Sequence, residues 1–257
     1  MTAPLSVTIL GSGTCVPSLR RSSCSLLIKT RRSLLLFDCG PGTMRRLLEA
    51  GYVLTDVTHL FISHIHLDHV GEFTSFLFST KYGGYFSKRT PFTVVAARGF
   101  ASFMAKNEEM YGRWINMEGT LSLVECDRDG RDRRSFADFD CVSCPMAHTD
   151  SSVGFRIITP EGLSVVYTGD TDYCDTAVAL AADCDILVCE SAFPDAMKRE
   201  GHLTPSLAGA IAARSHARHL VLTHFYPECE AVNIAAECRK TFQGKLTLAE
   251  DLMEITP

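Results

Sequence analysis

Within six residues the chain carries three imidazoles and a carboxylate: His64-Ile65-His66-Leu67-Asp68-His69. Imidazole nitrogen and carboxylate oxygen together suit zinc or a similar divalent ion. The cluster follows VTHLFIS, a β-rich apolar run that reads as a strand. Along extended chain, residues two apart point the same way, so His64 and His66 converge on one ion. The chain then turns, and Asp68 and His69 face a second. Four polar groups beside an apolar run would be costly to bury without a partner. That cost argues against a histidine-rich loop with no metal.

Such a cluster needs a scaffold, and the sequence supplies alternating strands and helices. SVTIL, SCSLLIKT and SLLLFDCG lie close together and predict an antiparallel meander. Met44, Leu47 and Leu48 recur at helical spacing, with Gly51 as a stop. Beyond the histidine cluster, helices are expected over 71–80 and 98–110, with PFTVVAA as the strand between them. LSLVECD and SFADFDCVSCPMAH read as strands around DRDGRDRR, taken as a solvated hairpin tip. VGFRIIT, LSVVYTGD and CDILVCESAF follow as strands. A helix starts at Thr204-Pro205, with Thr204 as cap and Leu207, Ala210 and Ile211 as its inner stripe. HLVLTHF, a helix over 230–241 and KLTLAEDLMEI complete the pattern. With no repeat and no linker, residues 1–257 read as one α/β domain of two packed sheets with helices outside.

Composition sets further bounds. The chain has 257 residues, 46% of them hydrophobic, which excludes disorder and a bare coiled coil. No run approaches the roughly 20 apolar residues of a membrane span. The opening MTAPLSVTILGSG lacks the parts of a signal peptide. A net charge of −5 gives no support for a nucleic-acid partner from bulk charge. Arg20, Arg21, Lys29, Arg31 and Arg32 form one basic stretch, read first as a solvated strand edge and second as a phosphate contact. Eleven cysteines with irregular spacing read as reduced, buried small hydrophobes, so a cytoplasmic location is expected. The pair Cys141 and Cys144 reads the same way, as core-facing thiols on a strand.

The H-x-H-x-D-H run resembles the metallo-β-lactamase superfamily of binuclear metallohydrolases. The remaining positions follow in order: His148 in PMAHTDSS, Asp170 in YTGDTD and His224 in VLTHFYP, each after a β-rich run. FDCGPGT around Asp38 fits a supporting turn beside the site. The resemblance runs from ILGSGT to LTLAEDLMEI and implies a four-layer αββα sandwich. It also implies two divalent metal ions, zinc first, with manganese or iron as alternatives. His64, His66 and His148 would hold one, and Asp68, His69 and His224 the other, with Asp170 bridging. A shared water of lowered pKa would be the nucleophile. His59, His216 and His219 have no place in this scheme. Flavodiiron proteins are disfavoured, because they usually carry Glu where this chain has His66.

A second stretch narrows the reading. His202-Leu203-Thr204 ahead of Leu222-Thr223-His224-Phe225 resembles ribonuclease Z and its phosphodiesterase relatives. In that branch a histidine at this position assists phosphoryl chemistry and an upstream glutamate orients it; His202 and Glu190 match. The branch's E-A-T-F stands here as E-S-A-F, which keeps the glutamate and loses the threonine. Asp68, His202 and Glu190 are thus the implied catalytic residues. The metal hydroxide would attack phosphorus, and a histidinium would protonate the strongly basic leaving alkoxide. Many ribonucleases Z insert a tRNA-gripping arm between the residues matching His148 and Asp170. Only 22 positions separate them here, enough for two strands and a turn. The expected activity is a phosphodiesterase on RNA or tRNA without that arm, with basic residues borrowed across a homodimer. A small cyclic phosphodiesterase is the alternative, a lactonase or thioesterase the third reading, and an inactive binding protein the non-enzyme one.

Overall fold

The computed structural model describes residues 4–82 and 90–257. Two seven-stranded sheets form its centre. The first begins with β1 (Ser6–Gly11), β2 (Ser25–Lys29) and β3 (Leu34–Phe37), the antiparallel meander expected from the sequence. It continues in parallel through β4 (His59–Ile62), β5 (Phe92–Ala97) and β6 (Leu121–Cys126). Parallel neighbours need crossovers. Those described are α1 (Thr43–Glu49), the short α2 (Leu67–Val70) with α3 (Phe73–Tyr82), and α4 (Phe100–Tyr111).

The second sheet repeats this plan. β7 (Asp132–Ser135), β8 (Asp140–Pro145), β9 (Val153–Ile158) and β10 (Ser164–Tyr167) pair antiparallel. β11 (Ile186–Glu190), β12 (His219–Thr223) and β13 (Lys245–Leu248) then run parallel. Their crossovers carry α5 (Asp175–Leu180), α6 (Pro205–Arg214) and α7 (Ile234–Cys238). β14 (Glu254–Ile255) returns to pair with β1.

Period two explains the layers. Along β3, Leu35 and Phe37 face the other sheet, while Leu34 and Leu36 face the helices. Both faces are covered, so the strands read as unbroken apolar runs. Between the sheets, Phe37 stacks on Phe61 at 4.5 Å, and Phe155 meets Phe61 edge-on at 5.2 Å. Outside the first sheet, Leu47, Phe73, Phe76 and Phe100 close a separate cluster. The result is the αββα order expected.

Four expectations need correction. DRDGRDRR is no hairpin tip: β6 and β7 lie at the edges of different sheets, and Asp132 already begins β7. β6 completes the parallel set, so the chain must cross between sheets there. The tight turn lies four residues on, where Phe136 N–H donates to Phe139 O. The helix expected over 230–241 is reduced to the five-residue α7, because Asn233 breaks the run and caps Ala236 N. On α6 the inner face is Ala208, Ile211 and Ala212; Ala210 is only half-buried, and Leu207 packs at the margin. Thr204 occupies the cap position, but its side chain does not cap; Asp195 accepts from Ser206 N instead. All eleven thiols are free, with Cys141 and Cys144 buried on β8. No helix among the described residues is long and apolar enough to cross a membrane.

Candidate metal centre

The site lies where strands of both sheets end. β4 stops at Ile62, and the chain runs through Ser63–Ile65 to His66, which has φ −63° and ψ 150° and stands at the cap of α2. Asp68 and His69 fall in the first turn of α2, so the helix re-aims them away from His64. From the second sheet, His148 follows β8, Asp170 follows β10, Glu190 ends β11 and His224 follows β12. Carboxyl ends of parallel strands are where open α/β sheets bind ligands. The turn to Asp170 requires glycine: Gly169 has φ +58°, and a Cβ there would lie 2.7 Å from Ser63 Cβ. His224 itself sits at φ +61°, a strained conformation for a non-glycine residue.

Seven side chains converge in two groups. His66 Nδ1 lies 3.0 Å from His64 Nε2 and 3.1 Å from His148 Nε2. Asp170 Oδ2 is 3.8 Å from both His64 Nε2 and His148 Nε2. The other oxygen, Oδ1, is 3.3 Å from both His69 Nε2 and His224 Nε2. Asp68 Oδ2 closes the second group at 3.5 Å from His224 Nε2 and 3.8 Å from His69 Nε2. Ligands about 2.0–2.1 Å from a tetrahedral ion sit about 3.3 Å apart, so these edges match a small divalent cation. His69 Nε2, His224 Nε2 and Asp170 Oδ1 are buried without a hydrogen-bond partner among the described residues. Buried polar atoms left unpaired are costly, and a cation at their common centre would satisfy all three.

Outer contacts fix the rings. His69 donates from Nδ1 to Asp38 Oδ2 at 2.7 Å, which leaves the Nε2 lone pair for an ion. Asp38 also accepts from Ser63 N, Ser63 Oγ and Tyr167 Oη. His148 donates from Nδ1 to Gly201 O at 2.9 Å. Burial holds His64 and His148 below the ordinary imidazole pKa, in the neutral form that ligates. Burial opposes charge on Asp170, yet His224 and His69 hold its carboxyl well below the usual range. Asp68 is drawn down to about 2: burial opposes charge there too, but the imidazoles of His224, at 3.5 Å, and His69 outweigh it.

His202 adjoins both groups. Its Nδ1 lies 3.0 Å from Glu190 Oε1 and 3.9 Å from Asp170 Oδ2. Its ring stacks against His224 at 5.7 Å and lies 4.8 Å from His148. Glu190 is fully enclosed and also accepts from Thr171 N, Ala192 N and Leu203 N. Burial alone would lower the His202 pKa; the Glu190 hydrogen bond and charge outweigh it and raise it.

Residues 34–225 match the model of the beta-lactamase superfamily domain. The chain belongs to the beta-lactamase superfamily. Family and site chemistry make it a metal-dependent hydrolase. It is 24% identical to ribonuclease Z of Methanosarcina mazei, over 98% of this chain and 97% of that protein. Ribonuclease Z of Geobacillus kaustophilus is 27% identical, over 91% and 93%. Among solved structures, the metallo-beta-lactamase fold protein YhfI of Bacillus subtilis superposes with a TM-score of 0.84 at 22% identity, covering 98% and 99% of the two chains. Human tRNase Z, short form, gives 0.80 at 24%, covering 98% of each. These likenesses bear out the expected αββα fold of the superfamily.

The nine residues that the resemblance placed at the site are neighbours in the structure. His59 and His219 lie elsewhere, bonded to Thr58 and Thr247, and His216 is exposed. Arg20 pairs with Glu230 and Glu250, Arg21 with Glu230, and Arg31 with Glu161, so these three arginines are already ion-paired. Sequence reasoning missed Ser63, Tyr167 and Gly201. Tyr167 stands in an apolar strand with nothing local to mark its hydroxyl. The Gly201 contribution is a backbone carbonyl, which no side-chain pattern signals.

Proposed function

We infer that this superfamily member is a phosphodiesterase of the ribonuclease Z type, working with two divalent metal ions, zinc first. The observation that carries the reading is the His202–Glu190 pair beside the His/Asp cluster. His64, His66 and His148 would hold one ion, and Asp68, His69 and His224 the other, with Asp170 between them. When bound, such a pair supplies Lewis acidity, lowering the pKa of a shared water and offsetting phosphoryl charge.

The chain's own residues do the rest. Glu190 fixes the His202 ring through Nδ1, which leaves Nε2 as the ring atom free to act. Glu190 favours the imidazolium, so Nε2 holds a proton for the leaving oxygen. Leu203 N–H to Glu190 Oε2 locks the loop that carries His202. A phosphodiester needs this donor because its alkoxide leaving group is a strong base. A thioester, whose thiolate leaving group is far less basic, needs it less, which supports the phosphodiester reading over that one.

One observation favours a small cyclic phosphodiester over tRNA. Only β9, β10 and short turns lie between His148 and Asp170. The alignment with the M. mazei protein spans 302 positions against 257 residues here, so at least 45 positions (302 − 257) have no counterpart in this chain. This supports the absence of a tRNA-gripping arm. The test is a salt titration of precursor-tRNA cleavage beside cyclic nucleotide hydrolysis on metal-loaded protein. Weak, shallowly salt-dependent tRNA processing is expected, since few cations engage phosphate. Tight, steeply salt-dependent processing by a monomer would restore a full tRNA-processing role. Hydrolysis of neither class, with a lactone cleaved instead, would overturn the phosphodiesterase reading.

A further inference from the structure

We propose that the cleft beside His66 receives the ester group that stays on phosphorus, and that it takes a nucleoside-sized aromatic group. This rests on the phosphodiesterase reading. The cleft has a volume of about 580 Å³, within the range of small-ligand pockets. His64 and His66 line one end of it, so whatever fills it lies against the metal centre. Ile62 and Ala97, at the ends of β4 and β5, and Phe100 and Phe103 of α4 give it an apolar lining. The two phenylalanine rings lie 5.1 Å apart and both pack on Phe73, which holds them in place. An aromatic ring is the group such a surface favours.

Position argues for the non-leaving ester. His202 sits against His148 and His224, and no residue of its loop lines the cleft. If His202 protonates the leaving oxygen, the leaving group lies on that side. In an acyclic diester the other ester must then extend away from His202, and the cleft opens from the His66 side.

Charge sharpens the class. The chain carries −5 in total, yet Lys106 and Arg128 line this cleft and form no ion pair among the described residues. A third cation, Arg98, is held by Asp127 at 2.8 Å and Asp129 at 3.4 Å, and Asp150 is the acid on the lining. At the start of α4, Gly99 N and Ala101 N both donate to Glu125 Oε1 and are not free for an anion. Recognition of a second phosphate would fall to Lys106 and Arg128.

The test uses two esters with the same good leaving group on metal-loaded protein: methyl p-nitrophenyl phosphate and thymidine 5′-(p-nitrophenyl phosphate). The nucleoside ester should show a kcat/KM roughly 10- to 100-fold higher, the gain of one stacked base. Ser102→Trp, which would fill the cleft from α4, should bring that ratio near one. Circular dichroism and metal content would check its fold. Turnover of both esters with a ratio unmoved by Ser102→Trp overturns the cleft assignment. Turnover of neither overturns the phosphodiesterase reading instead. Calorimetric binding of thymidine 5′-monophosphate then decides the cleft separately: binding abolished by Ser102→Trp supports it, and no binding overturns it. Lys106→Ala combined with Arg128→Ala should weaken thymidine 3′,5′-bisphosphate roughly tenfold more than the monophosphate. Equal weakening would overturn the second-phosphate role. A preference that keeps growing with oligonucleotide length would replace the nucleoside pocket by a strand-binding track.

Discussion

The two halves of the molecule share a plan, antiparallel strands followed by parallel ones, but they furnish the site differently. The first half delivers His64, His66, Asp68 and His69 from one six-residue run that leaves β4 and enters α2. The second delivers one residue from each of four strand ends: His148, Asp170, Glu190 and His224. Their outer support differs as well. His69 is oriented by a side chain, Asp38, whereas His148 is oriented by a backbone carbonyl, Gly201 O. A loop fixes its members relative to one another through covalent geometry. Strand ends are fixed only through the register of the sheet beneath them. The second half should therefore feel packing errors from afar, and the first should feel mainly changes within its own loop.

The largest effect is expected where the halves meet. Asp170→Ala removes the one carboxylate that faces both groups. Metal content, read by elemental analysis, should fall below the proposed two ions per chain, and turnover should drop by at least about 10³-fold. Full retention of metal would break the idea that Asp170 joins the groups.

His202→Ala separates chemistry from metal binding. Both ions should remain, and kcat on an alkyl phosphodiester should fall by roughly 10²–10⁴. With p-nitrophenolate as leaving group the loss should shrink, because that group needs little protonation. Equal losses on both would make His202 a residue that positions substrate.

Asp38→Asn tests the side-chain support in the first half. Metal affinity measured by competition with a chelator should weaken roughly 10–100-fold. The second half has no such side chain to remove at His148. Its nearest equivalent, Gly201→Ala, strains a φ of +80° and brings a Cβ within 3.1 Å of His148 Nδ1. Its effect should spread to His202 next door, lowering kcat as well as affinity. A kcat loss in Asp38→Asn matched to its metal loss, beside no kcat loss in Gly201→Ala, would reverse the comparison.

The smallest effect concerns stability. Burial holds His59 and His219 down at about 4 in the folded state, against about 6.5 unfolded. The unfolded chain then takes up protons that the folded one refuses. The contribution is intact above about pH 6.5 and is lost as pH falls from there toward 4. Urea midpoints at pH 7 and pH 5 should show the drop, and His59→Gln should reduce it. An unchanged drop would place the acid sensitivity elsewhere.

Legibility followed the same division. The first-half cluster was readable because its spacing alone encodes direction: two apart in extended chain, then a helical turn. His148, Asp170 and His224 carried no such local signal, and only resemblance linked them, each marked by a β-rich run before it. The misreadings were also tertiary in origin. β6 and the run 127–134 look like one hairpin, because alternation along a strand says nothing about which sheet receives it. For the basic stretch, read first as a solvated strand edge, the second reading as a phosphate contact meets acids far along the chain, Glu230, Glu250 and Glu161, already paired with Arg20, Arg21 and Arg31.

By itself the sequence determined most of the strand and helix order, two packed sheets with helices outside, and the donor set of the 64–69 run; the αββα class came from the resemblance. The first three follow from local periodicity and from the donor atoms of the side chains. Tertiary structure alone decided that Asp170 turns one oxygen to each group, that Tyr167 and Ser63 join His69 in holding Asp38, and that a carbonyl steadies His148. It also decided that Lys106 and Arg128 share a cleft with His66. Each of these depends on sheet register and on the packing of one sheet against the other, and distances across that interface are not written in any single stretch of chain.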